Sequence, residues 1–170
     1  MIIRLSFLCV SLICIVFSAQ AQASEPRLIA TYDDWSAYMF VEGGNKVCYM
    51  ASQPKKDEGD YTSRGEIFAL ITHRPSEGTR DVFSYITGYP YKTGSDVSVT
   101  IGGSRFTMFT QDDTAWAPDA AADRQLASAI RKGSNMVVKG TSQRGTLTTD
   151  TFSLRGSGKA YDTITRECGL

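Results

Sequence analysis

Short apolar runs separated by glycine-containing turns dominate the chain after residue 34. Residues 35–41 and 46–51 are two such runs, and they flank a polar turn with two glycines at residues 42–45. Residues 97–101 alternate between apolar and polar side chains, and Gly102-Gly103 joins them to a further run that contains aromatic residues. Both arrangements are typical of a β-hairpin, because consecutive glycines readily adopt the backbone conformations of tight turns.

Further strands are predicted between and after these hairpins. Residues 66–72 form a continuous apolar run, which predicts a strand buried on both faces. Residues 81–87 alternate as a half-buried strand does. Residues 136–139 and 146–154 predict a last strand pair around a polar turn that contains Gly145.

Two segments have a helical pattern instead. Asp119 is placed to cap a helix whose apolar side includes Leu126 and Ile130, and Gly133 is placed to end it. A second predicted helix covers residues 157–167, where apolar residues recur at helical spacing up to the cysteine that follows.

The remaining segments are predicted to be irregular. Residues 24–30 are interpreted as a lead-in segment, and the charged residues 54–64 as a mobile loop. An immunoglobulin domain requires a cysteine before its core tryptophan, whereas Trp35 precedes Cys48 here. The predicted fold is therefore mostly β, an antiparallel β-sandwich or curled sheet with a mid-chain helix and a short C-terminal helix.

The first residues follow the pattern of a secretory signal. Arg4 precedes an apolar run over residues 5–17, and Ala21-Gln22-Ala23 provides small residues at the spacing of a cleavage site. The run is shorter than the roughly 20 residues that a membrane-spanning helix needs. We therefore expect a signal peptide at residues 1–23 and a single β domain at residues 24–170, periplasmic or associated with the outer surface. Cleavage two residues earlier, after Ala19-Gln20-Ala21, is the alternative.

The charge balance excludes some classes of binding partner, and the cysteine content predicts a disulfide. Lys and Arg number 18, as do Asp and Glu, so removal of Arg4 leaves 17 against 18 and a net charge of −1. A near-neutral surface gives no electrostatic basis for binding nucleic acid or an anionic membrane, and no transmembrane segment is expected in the mature chain. Of the four cysteines, Cys48 and Cys168 would remain after cleavage. An exported domain usually pairs two such cysteines, and two buried free thiols are the alternative.

The sequence contains no recognisable catalytic or metal-binding constellation. His73 is the single histidine, and its position at the end of an apolar run predicts a surface side chain. One histidine and two cysteines are too few for a zinc site, so no cofactor or metal is expected. Four aspartates at positions 112, 113, 119 and 123 do not have the spacing of an EF-hand loop. Two carboxylates that come together only in the folded protein would not be visible in the sequence, so a hydrolase site of this kind is an open alternative.

Aromatic side chains in predicted loops are the remaining candidates for function. Tyr89, Tyr91 and Trp116 fall outside the predicted strands. Large side chains held in loops are suited to contact a partner, so we select these three as candidate contact residues. An aromatic groove that binds a small ligand is a further alternative.

The order of several short motifs resembles the invasion-associated locus B family of alphaproteobacterial envelope proteins. The residues that carry the resemblance are Asp34-Trp35, the segment 48–54 that begins with Cys48, Arg64-Gly65-Glu66, the segment 140–154 that ends in Asp150-Thr151-Phe152-Ser153-Leu154, and the terminal Glu167-Cys168-Gly169. The resemblance implies a non-enzymatic protein with Cys48 and Cys168 as its structural pair. Founding members are linked to the invasion of red blood cells, and relatives occur in free-living bacteria. The expected role is therefore a non-catalytic envelope protein that contacts an unidentified envelope or host-surface protein.

Overall fold

Residues 24–170, the part of the chain that the computed structural model describes, contain eleven strands and two α-helices. The predicted signal peptide lies outside these residues. The strands are β1 Arg27–Tyr32, β2 Trp35–Glu42, β3 Asn45–Ser52, β4 Lys56–Gly59, β5 Phe68–Arg74, β6 Thr79–Ile86, β7 Val97–Ile101, β8 Ser104–Gln111, β9 Thr114–Trp116, β10 Asn135–Thr141 and β11 Leu147–Ser153. The helices are α1 Ala120–Lys132 and α2 Ser157–Glu167.

All eleven strands belong to one antiparallel sheet that curls without closing. The strand order is β1-β2-β3-β5-β6-β9-β8-β7-β10-β11-β4. The curl brings the start of β2 against the end of β11, where the Trp35 indole donates to the Ser153 carbonyl over 3.0 Å. The prediction was a mostly β fold, an antiparallel β-sandwich or curled sheet with a mid-chain and a C-terminal helix, and the structure confirms it in the form of one curled sheet.

Glycine pairs form the two predicted hairpin turns. Gly43 and Gly44, between β2 and β3, have φ values of 57° and 81°. Gly102 and Gly103, between β7 and β8, have φ values of 53° and 86°. Two consecutive left-handed residues match the right-handed twist of the flanking strands, and glycine adopts this conformation at little steric cost.

The interior is filled by the inward-facing side chains of the strands and by the two helices. Trp35, Met50, Phe83 and Phe152 are fully buried, and the apolar side of α1 completes the same core. Asp119 caps α1 as predicted, since its carboxylate accepts from the backbone of Ala121 and Ala122, each at 2.8 Å.

A disulfide fixes α2 to the sheet. Cys48, in the middle of β3, bonds to Cys168, directly after α2, with an S–S distance of 2.04 Å and 6.0 Å between the Cα atoms. Both residues are buried. The predicted pairing is therefore present in the structure, and the alternative of two free thiols is wrong.

Three segments predicted to be irregular contain strands. The lead-in segment contains the start of β1, the predicted mobile loop contains β4 paired with β11, and Trp116 ends β9. β1 and β4 are the two edge strands of the sheet, and β9 has only three residues between β6 and β8. Strands in these positions show little alternation of their own, because pairing with their neighbours holds them in place.

The prediction that residues 66–72 are buried on both faces is also wrong. Along β5, Ala69, Ile71 and His73 are buried, whereas Phe68 and Leu70 are half-exposed. The run is continuously apolar because the outer side of β5 carries apolar residues as well.

Within residues 24–170, neither helix has the length and apolar character needed to cross a bilayer.

Candidate functional site

The outer side of the sheet carries an unusual number of aromatic and aliphatic side chains. The strand registers place these side chains in rows that cross from β1 to β8 on the side opposite the core. We call this surface the aromatic face, and it consists of Leu28, Tyr38, Phe40, Tyr49, Phe68, Leu70, Ile86, Phe109 and Trp116. Leu28 and Phe109 are 52% and 48% exposed, and the others are half-exposed.

Aromatic contacts order the part of this face on β2 and β3. Tyr38 and Tyr49 are cross-strand partners whose rings stack with centroids 5.0 Å apart. Phe40 meets Tyr49 edge to face at 6.1 Å. At the other side of the face, Phe109 and Trp116 are cross-strand partners on β8 and β9. The solvated side of an antiparallel sheet is ordinarily polar, so this composition needs a cause other than the stability of the core.

The three candidate contact residues occupy different environments. Trp116 lies within the aromatic face. Tyr89 is half-buried, and its hydroxyl bonds to Thr148 over 2.6 Å. Tyr91 lies in a loop as predicted, but only 6% of it is accessible, so it is not placed to contact a partner. An isolated bridge to Ser142 holds the Tyr91 backbone against the β10–β11 turn, and this contact turns the side chain inward.

The expectation that His73 lies on the surface is also wrong. Its side chain is fully buried between β5, the start of β6 and α2. Nδ1 accepts from the Asp81 backbone N–H at 3.0 Å. The ring proton is therefore on Nε2, which donates to the Thr165 hydroxyl at 3.2 Å. Both nitrogens are occupied and the ring has no solvent access, so His73 has the geometry of a packing residue rather than of a general base.

Asp81 does not orient the imidazole in the way a catalytic carboxylate does. Its carboxylate accepts from the Tyr161 hydroxyl at 2.5 Å and lies 3.3 Å from the Arg80 guanidinium. The Tyr161 ring in turn meets the His73 ring edge to face at 5.4 Å. These contacts join the end of β5, the start of β6 and α2 in one polar cluster beside the disulfide.

Burial lowers the pKa of His73, although the charge of Asp81 acts in the opposite direction. We therefore expect the free energy of unfolding to fall as the pH drops below about 6.5, the ordinary histidine pKa. Below that pH the unfolded chain binds a proton that the folded protein resists, at a cost of at most about 1.4 kcal/mol per pH unit. Urea unfolding at a series of pH values, compared between the wild type and His73→Gln, measures this slope.

His73 is the single histidine in the sequence, and all other titrating groups are the same in the two proteins. A difference in pH dependence between them therefore reports on His73. Between pH 7.5 and the lowered pKa of His73 in the folded protein, the unfolding free energy should change less with pH in His73→Gln than in the wild type. Parallel curves for the two proteins would contradict the assignment of a neutral, buried His73.

A buried ion pair lies at the opposite end of β5 and β6. Arg64 and Asp150 form a bidentate salt bridge with N–O distances of 2.6 and 2.8 Å. Their side chains are 3% and 1% exposed. Arg64 also donates to the carbonyl and the hydroxyl of Thr87, at 2.7 and 2.9 Å. The Tyr85 hydroxyl donates to the same Asp150 carboxylate. Few charges are buried so completely without a functional or structural reason.

A close backbone crossing positions this arginine. The Gly65 N–H donates to the Gly88 carbonyl at 2.9 Å. Gly88 has a φ of 75°, and a Cβ on it would lie 2.4 Å from the Gly65 carbonyl oxygen. Only glycine allows both the conformation and the approach.

Burial alone lowers the pKa of Arg64, but the hydrogen bonds and charge of Asp150 raise it above its ordinary value. The guanidinium therefore stays charged. Burial and the charge of Asp150 both raise the pKa of Tyr85, so its phenol stays protonated and serves as a donor. The cluster therefore contains a charged Arg64 guanidinium and a protonated Tyr85 phenol, and both donate to the Asp150 carboxylate.

The rings of Tyr61 and Tyr89 lie against this arginine near the surface. The Arg64 guanidinium carbon is 5.6 Å from the centroid of the Tyr61 ring and 4.9 Å from that of Tyr89. Both tyrosines line a cleft of about 320 Å³ between the loop at residues 60–63 and the β10–β11 turn.

Two of the four aspartates at positions 112–123 bind backbone N–H groups. Asp119 caps α1, and Asp123 accepts from the Phe83 backbone N–H at 2.9 Å, where β6 extends beyond its partner β9. Across residues 24–170, no three His, Cys, Asp or Glu side chains converge in the way that metal ligands do.

Sequence reasoning missed the buried ion pair and the aromatic face. Arg64 and Asp150 both lie in motifs that carry the family resemblance, but they are 86 residues apart, and sequence alone does not show that they meet. A partial signal for the aromatic face is present in the sequence, because the strand predicted at residues 66–72 has apolar residues on both of its faces.

Comparison with known proteins gives one match. No curated protein and no solved structure matches the chain. The family model described as "Invasion associated locus B (IalB) protein" matches residues 35–165, a span that includes Cys48, the buried ion pair and most of α2. The resemblance carried by the sequence motifs is confirmed, and the chain belongs to the invasion associated locus B (IalB) protein family.

Proposed function

We propose that this IalB family protein is an exported, non-catalytic envelope protein that acts by binding another envelope or host-surface protein through its aromatic face. The observation that carries the proposal is the composition of that face. Aromatic and aliphatic residues cross the outer side of seven adjacent strands from β1 to β8. Six interstrand spacings of about 4.8 Å give a width of about 29 Å along the sheet.

The margins of the aromatic face are charged. Arg74 pairs with Glu42 at one end of β2 and β5, and Lys55 pairs with Asp34 near the other end at 2.5 Å. An apolar surface bordered by polar groups is the usual composition of a protein-binding site. Trp116, one of the residues selected from sequence, lies in this face, whereas Tyr91 no longer has a place in the proposal.

The non-catalytic part of the proposal is supported by how the buried polar groups are used. His73, Asp81 and Asp123 each bind backbone or side-chain groups inside the fold. Arg64 and Asp150 neutralise one another. A hydrolase with paired carboxylates stays the alternative, since Asp112 and Asp113 line one cleft with Glu66, and Asp33 and Asp34 line another.

Export is supported by the disulfide, because such bonds persist in oxidising compartments. We expect protein isolated from the native envelope to begin near Ser24, with residues 1–23 removed, and to contain the Cys48–Cys168 bond. Intact-mass analysis before and after reduction tests both statements. A chain that retains Met1 would contradict cleavage, and two free thiols in freshly isolated protein would contradict the oxidising location.

We expect substitutions in the aromatic face to weaken capture of the partner by at least about tenfold, because aromatic anchors provide most of the energy of an interface. The test compares Phe109→Ser and Trp116→Ala with the wild type, using a tagged protein as bait on envelope extract. Leu147→Ser is the matched control, since Leu147 is 60% exposed on β11, away from the face. Equal loss in Leu147→Ser, or unchanged capture by both face variants, would contradict the proposal. Circular dichroism confirms that each variant is folded.

A further inference from the structure

We propose that the cleft between residues 60–63 and the β10–β11 turn binds a neutral saccharide of one or two rings. This function goes beyond the proposed protein contact, and the cleft shares no residue with the aromatic face. Its volume of about 320 Å³ is at the lower end of the range for small-ligand pockets, about 300–1,000 Å³. The proposal rests on three properties of the lining: its free polar groups, its fixed aromatic rings and its charge balance.

The polar groups of the lining are available to a ligand. Asp60, Thr62, Ser63 and Arg144 line the cleft and are exposed. Their side chains take part in none of the side-chain hydrogen bonds or ion pairs formed within residues 24–170. Together they offer a carboxylate acceptor, a guanidinium donor and two hydroxyls that can do either. A saccharide, whose hydroxyls both donate and accept, matches such a mixed set.

Two aromatic rings in the lining are held in place before any ligand binds. The Tyr61 hydroxyl donates to the Asp57 carboxylate at 2.7 Å, and the Tyr89 hydroxyl bonds to Thr148 at 2.6 Å. The Arg64 guanidinium, itself fixed by Asp150, lies over one face of each ring, so a sugar would stack on the opposite face. The C–H groups on one side of a sugar ring carry partial positive charge and suit the negative face of an aromatic ring. Because the two rings are already ordered, binding would not have to immobilise them, and only the free polar side chains would lose conformational entropy.

The charge of the lining favours a neutral ligand over an ionic one. Asp60 and Arg144 contribute one negative and one positive charge, and Tyr61, Tyr89 and the hydroxyl groups add none. An anionic ligand would meet the Asp60 carboxylate, and a cationic ligand would meet the Arg144 guanidinium. A neutral molecule with many hydroxyls satisfies both groups through hydrogen bonds.

Saturation-transfer NMR and calorimetry with four probes test the inference: N-acetylglucosamine, its β-1,4-linked dimer, maltose and lactose. We expect at least one probe to bind with a dissociation constant of about 1 mM or tighter. Tyr61→Leu and Arg144→Ala should each weaken that binding about tenfold. Arg124→Ala on α1 is the control, because it removes an exposed arginine far from the cleft in sequence and should leave the affinity unchanged.

Tyr61→Phe provides the second comparison, because it keeps the ring and removes only the hydroxyl that binds Asp57. It should retain more affinity than Tyr61→Leu, which removes the ring. The inference is overturned if none of the four probes binds, or if binding is equal in the wild type, Tyr61→Leu and Arg144→Ala. Phe109→Ser should bind the saccharide normally, so failure of the cleft and failure of the aromatic face give different results.

Discussion

The variant Cys168→Ala is expected to lose about 2–5 kcal/mol of unfolding free energy, the usual range for a native disulfide in a small secreted domain. The bond joins residues 120 positions apart, and a loop of that length restricts the unfolded chain by about 4–5 kcal/mol in the chain-entropy account. It also fixes the C-terminal end of α2, which packs on β2 and β3. Urea unfolding followed by circular dichroism measures the loss.

A reducing agent provides the matched control for this prediction. Dithiothreitol should lower the unfolding midpoint of the wild type towards that of Cys168→Ala and leave the midpoint of the variant unchanged. Equal midpoints for the oxidised wild type and Cys168→Ala would show that the bond adds no stability.

Asp150→Asn is expected to destabilise the protein by about 3–5 kcal/mol, because it leaves the Arg64 charge buried without a counter-charge. The substitution preserves the size of the side chain, so lost packing does not explain the effect. The unfolding free energy in urea is again the measurement.

Asp33→Asn is the matched control for Asp150→Asn. Asp33 pairs with Arg155 over 3.1 Å, but their side chains are 45% and 75% exposed, and exposed pairs contribute about 0–1 kcal/mol. The double variant Arg64→Met/Asp150→Leu should recover part of the loss, because it removes both buried charges. A change below about 1 kcal/mol in Asp150→Asn would contradict a desolvated pair.

The elements with strong local signals could be predicted from the sequence. The Gly43-Gly44 and Gly102-Gly103 turns and the Asp119 cap determine structure through nearby residues, and α2 covers the residues predicted for it. Local signals of this kind depend on backbone conformation and on hydrogen bonds within a few residues.

What the sequence did not predict depends on contacts between distant segments. His73 is buried because α2, about 90 residues later, covers it, and Tyr91 is buried because the β10–β11 turn holds its backbone. Arg64 enters the fold only because Gly65 and Gly88 let two backbones cross. Burial of this kind follows from the topology of the curled sheet rather than from the pattern of any one segment.

The aromatic face could be predicted from the sequence only in part. Its individual side chains are visible in the sequence, but the registers of seven strands are needed to show that they share one side. Phe68 and Leu70 therefore suggested a strand buried on both faces, when in fact they belong to an outer surface. The same registers separate this surface from Leu147, which is similarly apolar but isolated.

Site-specific photocrosslinking in cells tests most directly whether the aromatic face contacts a protein partner. A photoreactive phenylalanine analogue replaces Phe109 in one strain and Leu147 in another, both at exposed positions. Irradiation should give a discrete crosslinked species from position 109, identifiable by mass spectrometry as an envelope or host-surface protein, and none from position 147. Crosslinks from position 147 alone, or the absence of any crosslink from position 109, would contradict the proposed function.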